Sequence, residues 1–327
     1  MLKHPKRGVT KTMGKSDRTI LCIGIGVLDV VARPIGAPDS WKEKQRIESV
    51  MLLPGGDAAN QSIHLAALGY HVMLNCCVGA DTNGQTVRAA LTARGVDTSL
   101  VRTKEGVGTA TALLLVSSDG ERHIFSIQGA HSTLCRDDLP ETLPPGCAAV
   151  SLGSLYGMPL AEQDGLAPLL RQAKEKGIPV FADLDSARVT SDLSRFKELL
   201  PLIDYLLPSW YDILPMTESE TVEEAVRKLM SYGVGHIIVK RGEAGAVICE
   251  EGKRPITIPA IPVTPVDTTG AGDCMSATFL SRIIEGDTIP EACAYACAAG
   301  SYSTLFPGAN TVQISDEKIR EFLKKSS

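Results

Sequence analysis

The chain of 327 residues has few aromatic residues: six Phe, seven Tyr and two Trp, or 5% of the total. So small a share argues against platforms that stack nucleic-acid bases. Charge of one sign is also missing, since 33 Lys and Arg face 38 Asp and Glu for a net −5, and this leaves no electrostatic footprint for nucleic acid. The nine cysteines contain no C-x-x-C and no cysteine–histidine cluster of zinc spacing. Scattered and odd in number, they read as reduced thiols of a cytoplasmic protein, with Cys293 and Cys297 as small core residues on one helix face. No apolar run is long enough to cross a membrane, and Ile20 to Val31 is interrupted by Gly24, Gly26 and Asp29. The P-loop pattern G-x-x-x-x-G-K-[ST] is absent too. Residues 1–18 carry six basic residues against Asp17 but no secretory h-region, and are expected to be a disordered tail.

What is present centres on Pro262 to Leu280. Prolines and a polar run halt one element, Gly270, Ala271 and Gly272 bend the backbone, and Asp273 opens an apolar run ending near Ile284. This is a loop feeding a helix N-terminus, where unpaired N–H groups and the helix dipole attract an anion such as phosphate. Asp273 has two readings there. It is either the helix cap or a base placed to take a proton from a hydroxyl beside the anion hole.

Elsewhere the pattern is α/β. Ile20 to Val27 reads as a strand buried on both faces. Gly24 and Gly26 begin a dinucleotide fingerprint that fails at its third position, where Asp29 stands at the expected strand end. Strand-like pieces at Val30–Ile35 and Ile47–Leu53 lead to Gly55 and Gly56, then to a helix through Leu68 with Asn60 in its first turn. A strand at Val72–Val78, the loop G-A-D-T-N-G and a helix at Gln85–Arg94 follow, then a β-hairpin over Thr109–Val116 and His123–Gln128. From Ala148 on, strands and helices alternate, with strands at Pro179–Leu184, Tyr205–Leu207, His236–Lys240 and Ala246–Cys249 and a helix at Thr221–Tyr232. Helices at Pro290–Ser303 and after Ser315 close the chain. Residues 19–327 read as one domain, with lid segments at about 30–54 and 108–129.

The motifs Gly55-Gly56-Asp57-Ala58-Ala59-Asn60 and Asp267-Thr268-Thr269-Gly270-Ala271-Gly272-Asp273 resemble both signatures of the ribokinase (PfkB) family of carbohydrate kinases, and the likeness runs from Ile20 to the C-terminus. It implies a ribokinase-like α/β fold: a central, mostly parallel sheet with helices on both faces and a small β lid. The activity implied is phosphorylation of an alcohol on a small sugar by ATP with Mg2+. By position, Asp273 would be the general base, with Gly270, Ala271 and Gly272 completing the anion hole, and Asp29, Gly55, Gly56 and Asn60 would hold the sugar. Lys240, Gly242 and Gly245 match the nucleotide-side turn, and Asn310 falls near the adenine. Asp267 and Thr269, with backbone around Ser303 and Gly308, match a potassium site. Ser209 and Asp212 replace the family's Asn-x-x-Glu, leaving Asp212 as the acid for magnesium, and Asp183-Leu184-Asp185 replaces its D-P-N-type turn, with Arg188 following it at the strand's carboxyl end. Two other readings stay open: a nucleoside kinase, for which the lid offers only Trp41 and Phe125 as stacking rings, and a non-catalytic sugar-binding homologue. Lid edges that pair with a second copy would make a homodimer.

Overall fold

The computed structural model describes residues 14–36, 46–117, 122–184 and 193–326. Trp41, Asp185, Arg188 and the first 13 residues lie outside them. In chain order the elements are β1 (Thr19–Ile23), β2 (Val27–Ile35), β3 (Ser49–Gly55), α1 (Asp57–Ala67), β4 (His71–Asn75), β5 (Cys77–Gly79), α2 (Thr82–Ala93), β6 (Val96–Asp97) and β7 (Arg102–Lys104). Then come β8 (Thr111–Ser117), β9 (Arg122–Ile127), β10 (Cys147–Leu155), α3 (Leu166–Glu175), β11 (Val180–Leu184), β12 (Tyr205–Leu206), α4 (Trp210–Thr217), α5 (Val222–Ser231) and β13 (His236–Lys240). The chain ends with β14 (Ala246–Glu250), β15 (Ile256–Ile258), α6 (Ala271–Glu285), α7 (Ile289–Ser303) and α8 (Asp316–Ser326).

Nine strands form the central sheet in the order β15-β14-β13-β12-β11-β10-β1-β4-β6. The pairs from β13 through β12, β11, β10, β1 and β4 to β6 are parallel, and β14 and β15 add antiparallel strands at one edge. Side chains alternate along β1: Ile20 and Cys22 enter one core with α1, α6 and α7, while Leu21 and Ile23 enter a second core with α3 and α5. That two-sided burial is why the strand reads as an unbroken apolar run. Helix α1 lies so close to β10 that a Cβ on Gly153 would sit 2.5 Å from the Ala58 Cα. Among the described residues no helix is long and apolar enough to cross a membrane.

The lid is a separate four-stranded sheet in the order β3-β2-β8-β9. Register sorts its side chains. Asp29, paired with Leu53 and Ala112, shares the inner face with Val31, Leu114 and Val116. Val30, paired with Leu52 and Leu113, shares the outer face with Phe125.

Three local expectations are corrected. The run Ile20–Val27 is not one strand: β1 stops at Ile23, where Gly24 approaches Ala58 so closely that a Cβ would meet its methyl at 2.7 Å. The chain then crosses into the lid, so Asp29 belongs to a lid strand and not to the end of a central one. Residues 14–18 are not a free tail, because Lys15 pairs with Asp316 at 2.7 Å and Arg18 with Glu285 at 2.9 Å. Helix α4 was not foreseen, since Pro215 lies inside its eight residues and disguises the helical pattern.

Candidate active site

Helix α6 begins at Ala271 with Gly270 as its N-cap at φ 71°. Only glycine serves there: besides the left-handed backbone, a Cβ would lie 2.5 Å from the Ala309 carbonyl oxygen. Asp273 is therefore the third residue of the helix and no cap. Its carboxylate reaches across to α1, where Asn60 Nδ2 donates to Oδ2 at 2.8 Å and Gln61 Nε2 to Oδ1 at 3.4 Å. Gln61 is held in turn by the Ser151 hydroxyl, which donates to its Oε1 at 2.9 Å. The Ala271 N–H turns onto Thr268 O at 3.3 Å, and Gly272 and Asp273 contribute the next N–H groups of the first turn.

Burial, reinforced by the charge of Asp183, pushes the Asp273 carboxyl up to about 7, against the lowering effects of Asn60, Lys240 and Gln61. Lys240 extends from the end of β13 beneath the same helix turn. Its Nζ forms an ion pair with Asp183 Oδ2 and donates to Ser276 Oγ at 3.3 Å, and it sits 3.4 Å from where a Gly272 Cβ would be. Burial alone would lower its pKa, but Asp183, Asp273 and Asp57 together raise it. The expectation placed Lys240 in the nucleotide-side turn. In the structure it is buried and ion-paired with Asp183, at the start of the turn that contains Gly242 and Gly245. Beyond it, Gly242 at φ 57° opens to free space, while Gly245 packs against β15, with a Cβ position 2.1 Å from Ile258 O.

On the lid side, Asp29 faces the Gly55-Gly56 turn, and a Cβ on Gly55 would lie 2.1 Å from Asp29 Oδ2. Gly56, at φ 90°, passes 2.7 Å from Ile25 O by the same measure. Burial pushes the Asp29 carboxyl up to about 7. Asp29, Val31, Leu53, Leu114 and Val116 enclose a small pocket against Asp267, Thr269 and Gly308. Asn310, expected beside an adenine, is buried and donates to Pro54 O and to Asn60 Oδ1, both at 2.6 Å.

Asp267 ties the loop together, accepting from Thr269 N at 2.9 Å, Thr269 Oγ1 at 2.6 Å and Gly308 N at 2.9 Å. The Ser303 hydroxyl donates to Gly300 O at 2.8 Å. Asp212, 4% exposed, lies in the first turn of α4, and Ser209 just before it pairs with Lys240. Sequence reasoning did not single out Gln61, Ser276, Ser151 or Arg94. Ser276 was findable, because it lies three residues after Asp273 on one helix face.

Comparison with known proteins accords with this geometry. The model of the pfkB family of carbohydrate kinases matches residues 17–316. Ribokinase of Haemophilus influenzae is 29% identical over 280 residues, covering 83% of this chain and 87% of its own. An ATP-dependent ribose-1-phosphate kinase of Halopiger xanaduensis is 29% identical over 288 residues, covering 88% and 92%. Among solved structures, Arabidopsis thaliana ribokinase complexed with ribose and ATP superposes with TM-score 0.75 at 26% identity, covering 94% of this chain and 99% of its own. A fructokinase from Vibrio cholerae, bound to fructose, ADP and potassium ion, has the same fold with TM-score 0.77 at 22% identity, covering 95% and 100%. This chain belongs to the pfkB family of carbohydrate kinases.

Proposed function

We propose that this ATP-dependent sugar kinase uses Asp273 as the general base on the acceptor hydroxyl. The observation that carries the reading is a buried carboxylate with both oxygens held by amides, in the first turn of an anion-binding helix start. Asp273 takes the hydroxyl proton as that oxygen bonds to the terminal phosphorus and the bond to the ADP oxygen breaks. The N–H groups of Gly272 and Asp273 stabilise charge on the transferring group. Asp29, at the Gly55-Gly56 turn, holds sugar hydroxyls, and the apolar lid wall excludes water that would compete as acceptor.

Magnesium would supply charge neutralisation on the phosphates. Among the described residues no cluster of three His, Cys, Asp or Glu could cage a metal, which suits an ion that binds through phosphates and one carboxylate. Asp212, in the first turn of α4 three residues after Ser209, would be that carboxylate. Asp267 and the backbone of Thr269, Ser303 and Gly308 would hold a monovalent cation.

The nucleoside reading loses its described stacking ring, because Phe125 lies on the lid face opposite Asp29. All nine cysteines are free thiols, which supports a cytoplasmic location. The outer lid face leaves Leu52, Phe125 and Ile127 more than half exposed, which supports pairing of two copies through the lid.

ADP release over a panel of pentoses, hexoses, sugar phosphates and nucleosides, with and without potassium, tests the reading. Turnover with a sugar is expected, and Asp273→Asn is expected to lower kcat by about 10²–10⁴-fold while leaving the fold intact. Near-normal turnover by that variant would refute the base.

A further inference from the structure

We infer that Arg94 and Asn310 are positioning residues that fix the direction of the hydrogen bonds reaching Asp273. The inference rests on Asp273 being the base, and it concerns a chain of contacts running from α2 into the centre of the site. Arg94, partly buried at the C-terminus of α2, donates through Nη1 to Asn310 Oδ1 and to Asn310 O, the latter at 3.2 Å. Asn310 Nδ2 donates to Pro54 O and to Asn60 Oδ1, and Asn60 Nδ2 donates to Asp273 Oδ2.

An amide side chain in isolation can present either end, because its oxygen and nitrogen are nearly the same size. Here that freedom is removed link by link. A guanidinium only donates, so Asn310 must turn its oxygen toward Arg94. Pro54 O only accepts, so the Asn310 nitrogen must face it, and Asn60 is left with an N–H donor beside it. Asn60 answers with its oxygen. Its own nitrogen is thereby committed to the carboxylate, where the opposite orientation would set oxygen against oxygen. The polarity chosen at α2 is thus delivered at Asp273.

The other charged or titratable groups around Asp273 do not replace this chain. Asp183 on β11 and Asp57 on α1 are acids, and Lys240 on β13 is committed to Asp183. Asp29 on β2 belongs to the sugar side. His64 on α1, pushed down to about 4 chiefly by burial, is neutral and turns to Ala309 O at 3.2 Å. Donors to a carboxylate favour its ionised form, so a disordered relay leaves the base protonated to higher pH.

The test follows the Asp273 carboxyl itself, by side-chain carbon NMR of labelled aspartates assigned against Asp273→Asn, alongside sugar-dependent ADP release. In Arg94→Met and Asn310→Leu the Asp273 titration is expected to move upward by about one pH unit. At pH 7, kcat should fall about fivefold with the sugar KM little changed, and should recover at higher pH. Arg94→Lys, which keeps a cationic donor, should behave as wild type. Arg94 lies near the surface, so its variants test the relay even if Asn310→Leu fails to fold. Folded Arg94→Met with an unmoved Asp273 titration would overturn the inference. Normal turnover by Asp273→Asn would instead refute the base, while the titration would still decide the relay.

Discussion

The Asn60 amide meets the Asp273 carboxylate at 2.8 Å across 213 positions of chain. The contact joins the two signature motifs, one at the start of α1 and the other at the start of α6. Each motif alone is a glycine-bearing helix start, and together they make a buried carboxylate held by an amide.

The acid limb of kcat/KM is expected near pH 7, where burial and Asp183 have pushed the Asp273 carboxyl. Stability should run the other way. A carboxyl whose folded pKa lies above its unfolded 3.8 contributes most below that value, and the contribution is lost as pH rises toward 7. Asp29, raised to about 7 by burial, adds to the same trend. Thermal melts between pH 5 and 8 should therefore fall as activity rises, and Asp29→Asn should flatten the fall.

Asp29→Asn and Gly55→Ala are expected to share a phenotype. The first removes the charge, and the second drives a methyl to 2.1 Å from Asp29 Oδ2 and displaces it. A hydrogen bond to a charged group is worth about 1.5–3 kcal/mol, so the sugar KM should rise roughly 10–100-fold in both. Steady-state kinetics with the best sugar of the panel measure this, and an unchanged KM in Asp29→Asn would remove Asp29 from the sugar site.

Gly270→Ala and Gly242→Ala separate crowding from backbone strain. Both positions have positive φ, but an added methyl meets Ala309 O at 2.5 Å in the first and nothing within 4 Å in the second. Denaturant unfolding should show Gly270→Ala as the more destabilised by about 1–3 kcal/mol. Equal losses would mean that only the left-handed backbone matters.

Sedimentation tests the outer lid face. If two copies pair there, Phe125→Glu places a charge on that face and should convert dimer to monomer, while Glu317→Gln on α8 should not. A wild-type monomer would remove the pairing.

Regular elements were legible where one periodicity governed. β13 runs over His236–Lys240 as read, and α5 starts after a Thr221 side chain that accepts from Glu224 N at 3.2 Å. Asp29 was picked out but misplaced, since an apolar run with two glycines looks the same whether it continues or changes sheets. The role of Asp273 was undecided between cap and base because local pattern does not show that Gly270 fills the cap. Asn310 and Arg94 had no local signal, for their partners are Asn60 and each other, and only the tertiary fold brings α2, α1 and the 308–310 turn together.

At Gly24–Gly26 the chain leaves the central sheet for the lid. Asp29 is mounted on one sheet, whereas Asp273 is mounted on a helix packed against the other. On the proposed reading, recognition and chemistry are two keys cut on different parts of the molecule. A molecule whose lid is displaced retains its base and phosphate cradle but has no grip on an acceptor, so transfer becomes conditional on both being turned at once.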